Sequence, residues 1–230
     1  MTILQCTKKI KGTVGRYRRR IEQQIKDKNE KRFLTRLRRR NKNERCSIIC
    51  NNCIGGVIYH NLGMEFDSPT INLFFDGKGY LEFCKYLEYY STCELIQSPD
   101  SMKDGYPVGI LVPKDDSHIP ISIYFQHYNN FEEAKEKWIK RFKRVDFNNT
   151  YYIWEAYDTL SNFDYIREFD NLPLKHTLII THSRHPELKN AVPVSCYIDD
   201  KPVAKILMYR GLSGKRYLDE VDYVSFLNSD

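Results

Sequence analysis

The sequence predicts an α/β fold: a mixed, mostly parallel sheet flanked by helices, with a strongly basic helix ahead of it. Three observations carry this. Short apolar runs alternate with helical stretches from Ser47 onward. Aromatic residues are abundant, 17 Tyr and 12 Phe, and sit inside those apolar runs, as core residues do. Charge is segregated: residues 8–45 hold 17 Lys/Arg against 4 Asp/Glu, leaving 19 against 26 elsewhere, so a net acidic body carries a basic arm.

The arm comes first. Residues 16–40 lack helix breakers and place Ile21, Ile25, Phe33, Leu34 and Leu37 in a thin apolar stripe among cations, which predicts one helix. The division expected is a basic extension over 1–45 and an α/β domain over 46–230. Three partners suit such a helix: its own acidic domain, an anionic membrane surface reached through residues 8–45, or nucleic acid. No RNA-binding signature or zinc-finger spacing accompanies the charge, so no specific nucleic acid is expected.

The remainder reads as strands at 47–50, 71–75, 108–112, 119–127, 151–154, 178–181, 194–198 and 203–207. Helices fit at 55–62, 80–90, 131–144, 161–171 and 217–227. The clearest is 131–144: Asn130 caps it, Glu132 and Glu133 occupy its first turn, and Phe131, Ala134, Trp138, Ile139 and Phe142 share one face. No window approaches 18 consecutive apolar residues and the first residues lack a cleavable signal pattern. The seven cysteines, an odd number, are scattered, which reads as reduced thiols in a cytoplasmic protein, possible at the inner membrane face.

The most unusual run is Ser47 to His60, an apolar strand entering a small polar turn and then a helix. Open α/β sheets bind ligands at the carboxyl ends of their strands. There Asn51, Asn52, Gly55 and Gly56 supply backbone and amide donors for an anion, and Cys53 at a helix start is a nucleophile of lowered pKa. The alternative is a turn with a small buried cysteine. Cys46, Cys50, Cys53 and His60 do not match paired Cys-x-x-Cys knuckles, so no metal is expected. His127, in phase with Ile121, Ile123 and Phe125, is either a core histidine or a general base at a strand end; His182 and His185 follow another apolar run. Lys137, Arg141 and Arg144 give the capped helix a cationic end suited to phosphate.

Taken together, Cys50-Asn-Asn-Cys-Ile-Gly-Gly56, Ser68-Pro-Thr70, Tyr106-Pro-Val-Gly-Ile110, His127-Tyr128, Lys137-Trp138 with Arg141, Glu168-Phe-Asp-Asn-Leu-Pro173 and Thr181-His182 resemble a bacterial family of unknown function. Its members are often labelled exopolysaccharide or capsule biosynthesis proteins, and the resemblance runs from Arg38 to Asn228. It implies surface polysaccharide assembly rather than a mechanism. The strand and Asn-Cys turn are also similar to the Gly-Asn-Cys-Gln turn of polysaccharide-modifying acyltransferase-like proteins that bind coenzyme A.

The reading that follows is a glycan-modifying transferase, acyl transfer preferred, with coenzyme A or acyl-coenzyme A as cofactor, Cys53 as nucleophile and His127 or His182 as base. A glycosyl- or phosphosugar transferase using a sugar nucleotide is the alternative enzyme, although no Asp-x-Asp metal motif is present. The third reading is an adaptor docked on anionic lipid.

Overall fold

The computed structural model describes residues 3–102, 104–158, 160–196 and 205–229, with side chains described from Gly15. Helix α1 (Ile3–Arg40) leads into β1 (Ser47–Cys50) and α2 (Ile54–Leu62). Then come β2 (Phe74–Phe75), α3 (Gly77–Lys85), α4 (Leu87–Tyr90), β3 (Glu94–Gln97), β4 (Val108–Val112) and β5 (Ile121–Tyr124). The chain continues through α5 (Phe131–Phe142), β6 (Thr150–Glu155), α6 (Phe163–Asp170), β7 (Thr177–Thr181) and β8 (Ala191–Pro193). It closes with a 3₁₀ turn (Tyr217–Glu220) and α7 (Tyr223–Leu227).

The α/β architecture is present, with the parallel strands in one four-stranded sheet, β1-β6-β7-β8, flanked by helices. The antiparallel strands form a sheet of their own, β2-β5-β4-β3. Strand alternation splits the core in two. Ile49, Tyr152, Trp154 and Ile179 point toward the antiparallel sheet, α3, α5 and α6. Ile48, Cys50, Tyr151, Ile153, Leu178 and Ile180 point toward α1, α2 and the C-terminal helices.

Several boundaries move. The helix expected over 80–90 breaks at Tyr86, whose backbone (φ −128°, ψ 40°) is not helical. Strand 119–127 shortens to Ile121–Tyr124, because the chain turns at Gln126 and His127. His127 is therefore exposed rather than a core histidine. β3 was not anticipated: Leu95 is its buried residue, and Glu94, Ile96 and Gln97 face out. Of the strand expected at 203–207, residues 203 and 204 lie outside the described residues and Lys205 and Ile206 are helical. Strand 194–198 gives way to β8 just before it, residues 197 and 198 lying outside the described residues.

The apolar stripe of α1 divides. Leu37 is buried, and Phe33 and Leu34 pack on the parallel-sheet core, while Ile21 and Ile25 stay exposed. Arg38 donates through Nε to the Asn61 carbonyl (2.8 Å) at the end of α2, and Arg40 binds Asp222 (2.7 Å). Gly214, at φ 71°, approaches the α1 backbone so closely that a Cβ there would sit 2.2 Å from the Glu30 nitrogen.

Candidate functional site

The Asn51–Gly56 turn lies at the carboxyl end of β1, where expected, and its polar groups are turned inward. Asn52 Oδ1 accepts from the Ile54 amide (3.0 Å), taking up a helix-start donor that was expected to be open to a ligand. Gly55 is a packing residue, since an added Cβ would lie 3.0 Å from Cys50 Cβ, and Gly56 abuts Ile71. The Cys53 thiol donates to the Leu73 carbonyl (3.8 Å), not to an imidazole. Burial, then the charge of Glu155, push it up to about 11, the opposite of the acidification expected at a helix start.

The cationic end of α5 is not at this turn. Arg144 binds Asp67 (2.9 Å), which also holds Arg45 (3.2 Å) near the amino end of β1. Arg141 donates to the Tyr128 hydroxyl (2.6 Å) and lies over the Phe66 ring. With Lys137 and Lys140 they line a shallow depression of about 330 Å³ beside Met64, Glu65 and Phe66.

What gathers at the carboxyl edge is Glu155, His182, Tyr157, Asn52 and Cys196. Glu155 is the last residue of β6 and fully buried. Its Oε2 accepts from Asn52 Nδ2 (2.6 Å) and from the Tyr157 hydroxyl (2.5 Å), and its Oε1 faces His182 Nε2 (3.2 Å). A buried carboxylate persists only with such partners. Burial and the Glu155 charge raise the Tyr157 hydroxyl far above its usual range, so it stays a donor. Its ring stacks on His182 at 5.5 Å and 5°.

His182 follows β7, and its other nitrogen, Nδ1, faces Cys196, the carbonyl at 3.0 Å and Sγ at 3.6 Å. Burial lowers its pKa; the contacts with Cys196 and Glu155 outweigh this and raise it to about 9. As an imidazolium it donates from both nitrogens. With an acceptor on each side, the Cys196 carbonyl at Nδ1 and Glu155 at Nε2, only the imidazolium satisfies both contacts, and it is this form that lies beside the Cys196 sulfur. Thiol, imidazole and carboxylate in line are the geometry of an activated nucleophile.

His185 lies on the rim, with Nδ1 to Glu187 (3.0 Å), Nε2 to Asp158 (3.1 Å) and Ser183 (3.0 Å), and its ring against Phe163. His127 lies in the turn that follows β5, its backbone amide on the Asn72 carbonyl (3.4 Å). The residues missed from sequence are Glu155, Tyr157 and Cys196. Glu155 had a signal: a carboxylate directly after the apolar run Tyr151–Trp154, at the strand end.

Among the described residues no cluster of three or more His, Cys, Asp or Glu suits a metal, and no helix is long and apolar enough to cross a membrane. An uncharacterized protein from Haemophilus influenzae (strain ATCC 51907 / DSM 11121 / KW20 / Rd) is 32% identical over 205 residues, covering 88% of this chain and 94% of that protein. A family model matches residues 24–228, from the middle of α1 through α7, and the chain belongs to that family, described as Domain of unknown function (DUF1919).

Proposed function

We propose that the chain is a transferase of surface polysaccharide biosynthesis that moves an acyl group from a coenzyme A thioester to a glycan hydroxyl, with Cys196 as nucleophile, His182 as base and Glu155 as the residue that orients and charges the imidazole. The observation carrying this reading is Cys196 Sγ 3.6 Å from His182 Nδ1, with Nε2 3.2 Å from a fully buried carboxylate. The polysaccharide setting rests on the motif resemblance.

With its pKa raised to about 9, His182 enters the reaction as an imidazolium held by Glu155, and the Cys196 sulfur, its proton released to solvent, stands beside it as a thiolate. The thiolate attacks the thioester carbonyl, forming acyl-Cys196 and releasing coenzyme A, whose sulfur takes the Nδ1 proton and leaves the ring neutral. A glycan hydroxyl then attacks acyl-Cys196 while the neutral Nδ1 removes its proton; the glycan ester leaves, and Cys196 is again a thiolate beside the re-formed imidazolium. Asn52 and Tyr157 hold Glu155 through both steps.

The test is incubation of the full chain with acyl-coenzyme A and peptide mapping of any thioester. Adduct on Cys196, absent in Cys196→Ala and His182→Gln and retained in Cys53→Ala, supports the reading. No adduct, with thermal stabilisation by sugar nucleotides alone, replaces it with a glycosyl- or phosphosugar transferase. No adduct and no stabilisation by either class leaves a non-enzymatic adaptor.

A further inference from the structure

Helix α1 has two apolar faces, and the domain covers one. At about 3.6 residues per turn, Phe33, Leu34 and Leu37 fall on the side packed against the parallel-sheet core. Tyr17, Ile21 and Ile25, spaced i, i+4, i+8, fall on the opposite side and are 67%, 38% and 42% exposed. The same outer side continues into Lys28, Lys31, Arg32, Arg36 and Arg39, which share one open face. Among the described residues none of these five is in an ion pair, and Glu22, Asp27 and Glu30 lie off this face: Glu22 pairs with Arg18, Asp27 binds Gln23 and Glu30 accepts from Tyr209.

Exposed branched side chains and a tyrosine running into a row of cations are the composition of a helix that lies in a lipid interface, apolar groups among the acyl chains and cations at the headgroups. We infer that the outer face of α1 seats the protein on an anionic bilayer, with Tyr17, Ile21 and Ile25 as the inserting residues and Lys28 to Arg39 as the headgroup contacts. Charge decides between this occupant and a second copy of the chain: pairing two outer faces sets ten cations against one another, whereas anionic lipid neutralises them. Nucleic acid has use for the cations and none for the exposed isoleucines. The inference is independent of the reaction proposed above.

The experiment is co-sedimentation of the full chain with vesicles of phosphatidylcholine alone or mixed with phosphatidylglycerol. Binding is expected to the mixed vesicles only, to weaken as salt rises, and to fall about tenfold or more both in Ile21→Ser/Ile25→Ser and in Lys28→Glu/Arg32→Glu. These positions are exposed, and circular dichroism checks that both variants keep the fold. The inference is overturned if the serine variant binds as tightly as the wild type, which would make the attraction that of a bare polycation for any polyanion, nucleic acid included. It is equally overturned if the chain ignores phosphatidylglycerol while sedimentation shows a dimer that the serine variant loses.

Discussion

Asn51 reads the backbone of Glu155 as a strand would: its Nδ2 donates to the Glu155 carbonyl (3.0 Å) and its Oδ1 accepts from the Glu155 amide (3.0 Å). The pairing of β1 with β6 ends at Cys50 opposite Ile153, so this side chain extends the parallel ladder past its last residue and fixes where Glu155 points.

Asn51→Ala leaves both backbone groups of Glu155 without these partners at a half-buried site. The expected cost is about 1–3 kcal/mol, read as a lower urea midpoint, with a loss of Cys196 reactivity beyond that seen in equally destabilised variants elsewhere. Asn51→Asp keeps the acceptor, loses the donor and sets a second carboxylate near Glu155, so it is expected to be no better than alanine.

The His182–Glu155 pair ties stability to pH. His182 is raised from 6.5 to about 9, so its contribution is complete below about 6.5 and is lost as pH rises through about 9. Wild type is therefore expected to exceed His182→Gln in unfolding free energy by a margin that is largest near neutral and acidic pH and shrinks toward pH about 9.5. Chemical denaturation at several pH values checks this; a margin independent of pH would mean that the ring stays neutral.

Thiol chemistry should separate the cysteines. Burial holds Cys46 and Cys50 at about 12 and Cys53 at about 11, so all three are expected to resist iodoacetamide at neutral pH. Cys196, beside His182, is expected to react ahead of them, and Glu155→Gln to slow its labelling about tenfold or more. Peptide mapping over a labelling time course gives the order.

Gly214 tests how α1 is seated. Alanine there is strained by φ 71° and puts its Cβ 2.2 Å from backbone of Glu30, which no side-chain movement relieves. Gly214→Ala is expected to release the docked half of α1, measured as faster amide exchange over residues 26–40 and a loss of stability of about 2 kcal/mol or more.

The parallel-sheet half of the fold was readable because its strands are continuous apolar runs, such as Ser47–Cys50 and Tyr151–Trp154, that end in polar turns. The antiparallel half was less so. β3 buries only Leu95, and β2 keeps two residues, Phe74 and Phe75, so neither produces a strong alternation. At the site, position was legible and identity was not. The Asn51–Gly56 turn sits at the carboxyl edge, but which cysteine meets a histidine depends on β7 and β8 being neighbours, and that pairing brings Cys196, 14 residues after His182, back onto its ring. The α1 stripe misled because Ile21 and Ile25 were grouped with Phe33, Leu34 and Leu37 despite lying half a turn away. The family match begins at residue 24, close to Lys26, which lies over the Tyr209 ring where α1 meets the body.

The seat of α1 is built from both ends of the chain. Arg38 finds its carbonyls on α2 early, but Arg40 and Glu30 wait for Asp222 and Tyr209, 182 and 179 residues away. On a ribosome, Phe33, Leu34 and Leu37 therefore remain only partly covered until residues 209–222 have emerged. For that interval the nascent protein displays a long cationic helix apolar on both sides, the form most prone to association with chaperones or with a nearby bilayer. Because the partners that close this seat are translated so much later, the progress of synthesis sets when the inner face of α1 is claimed.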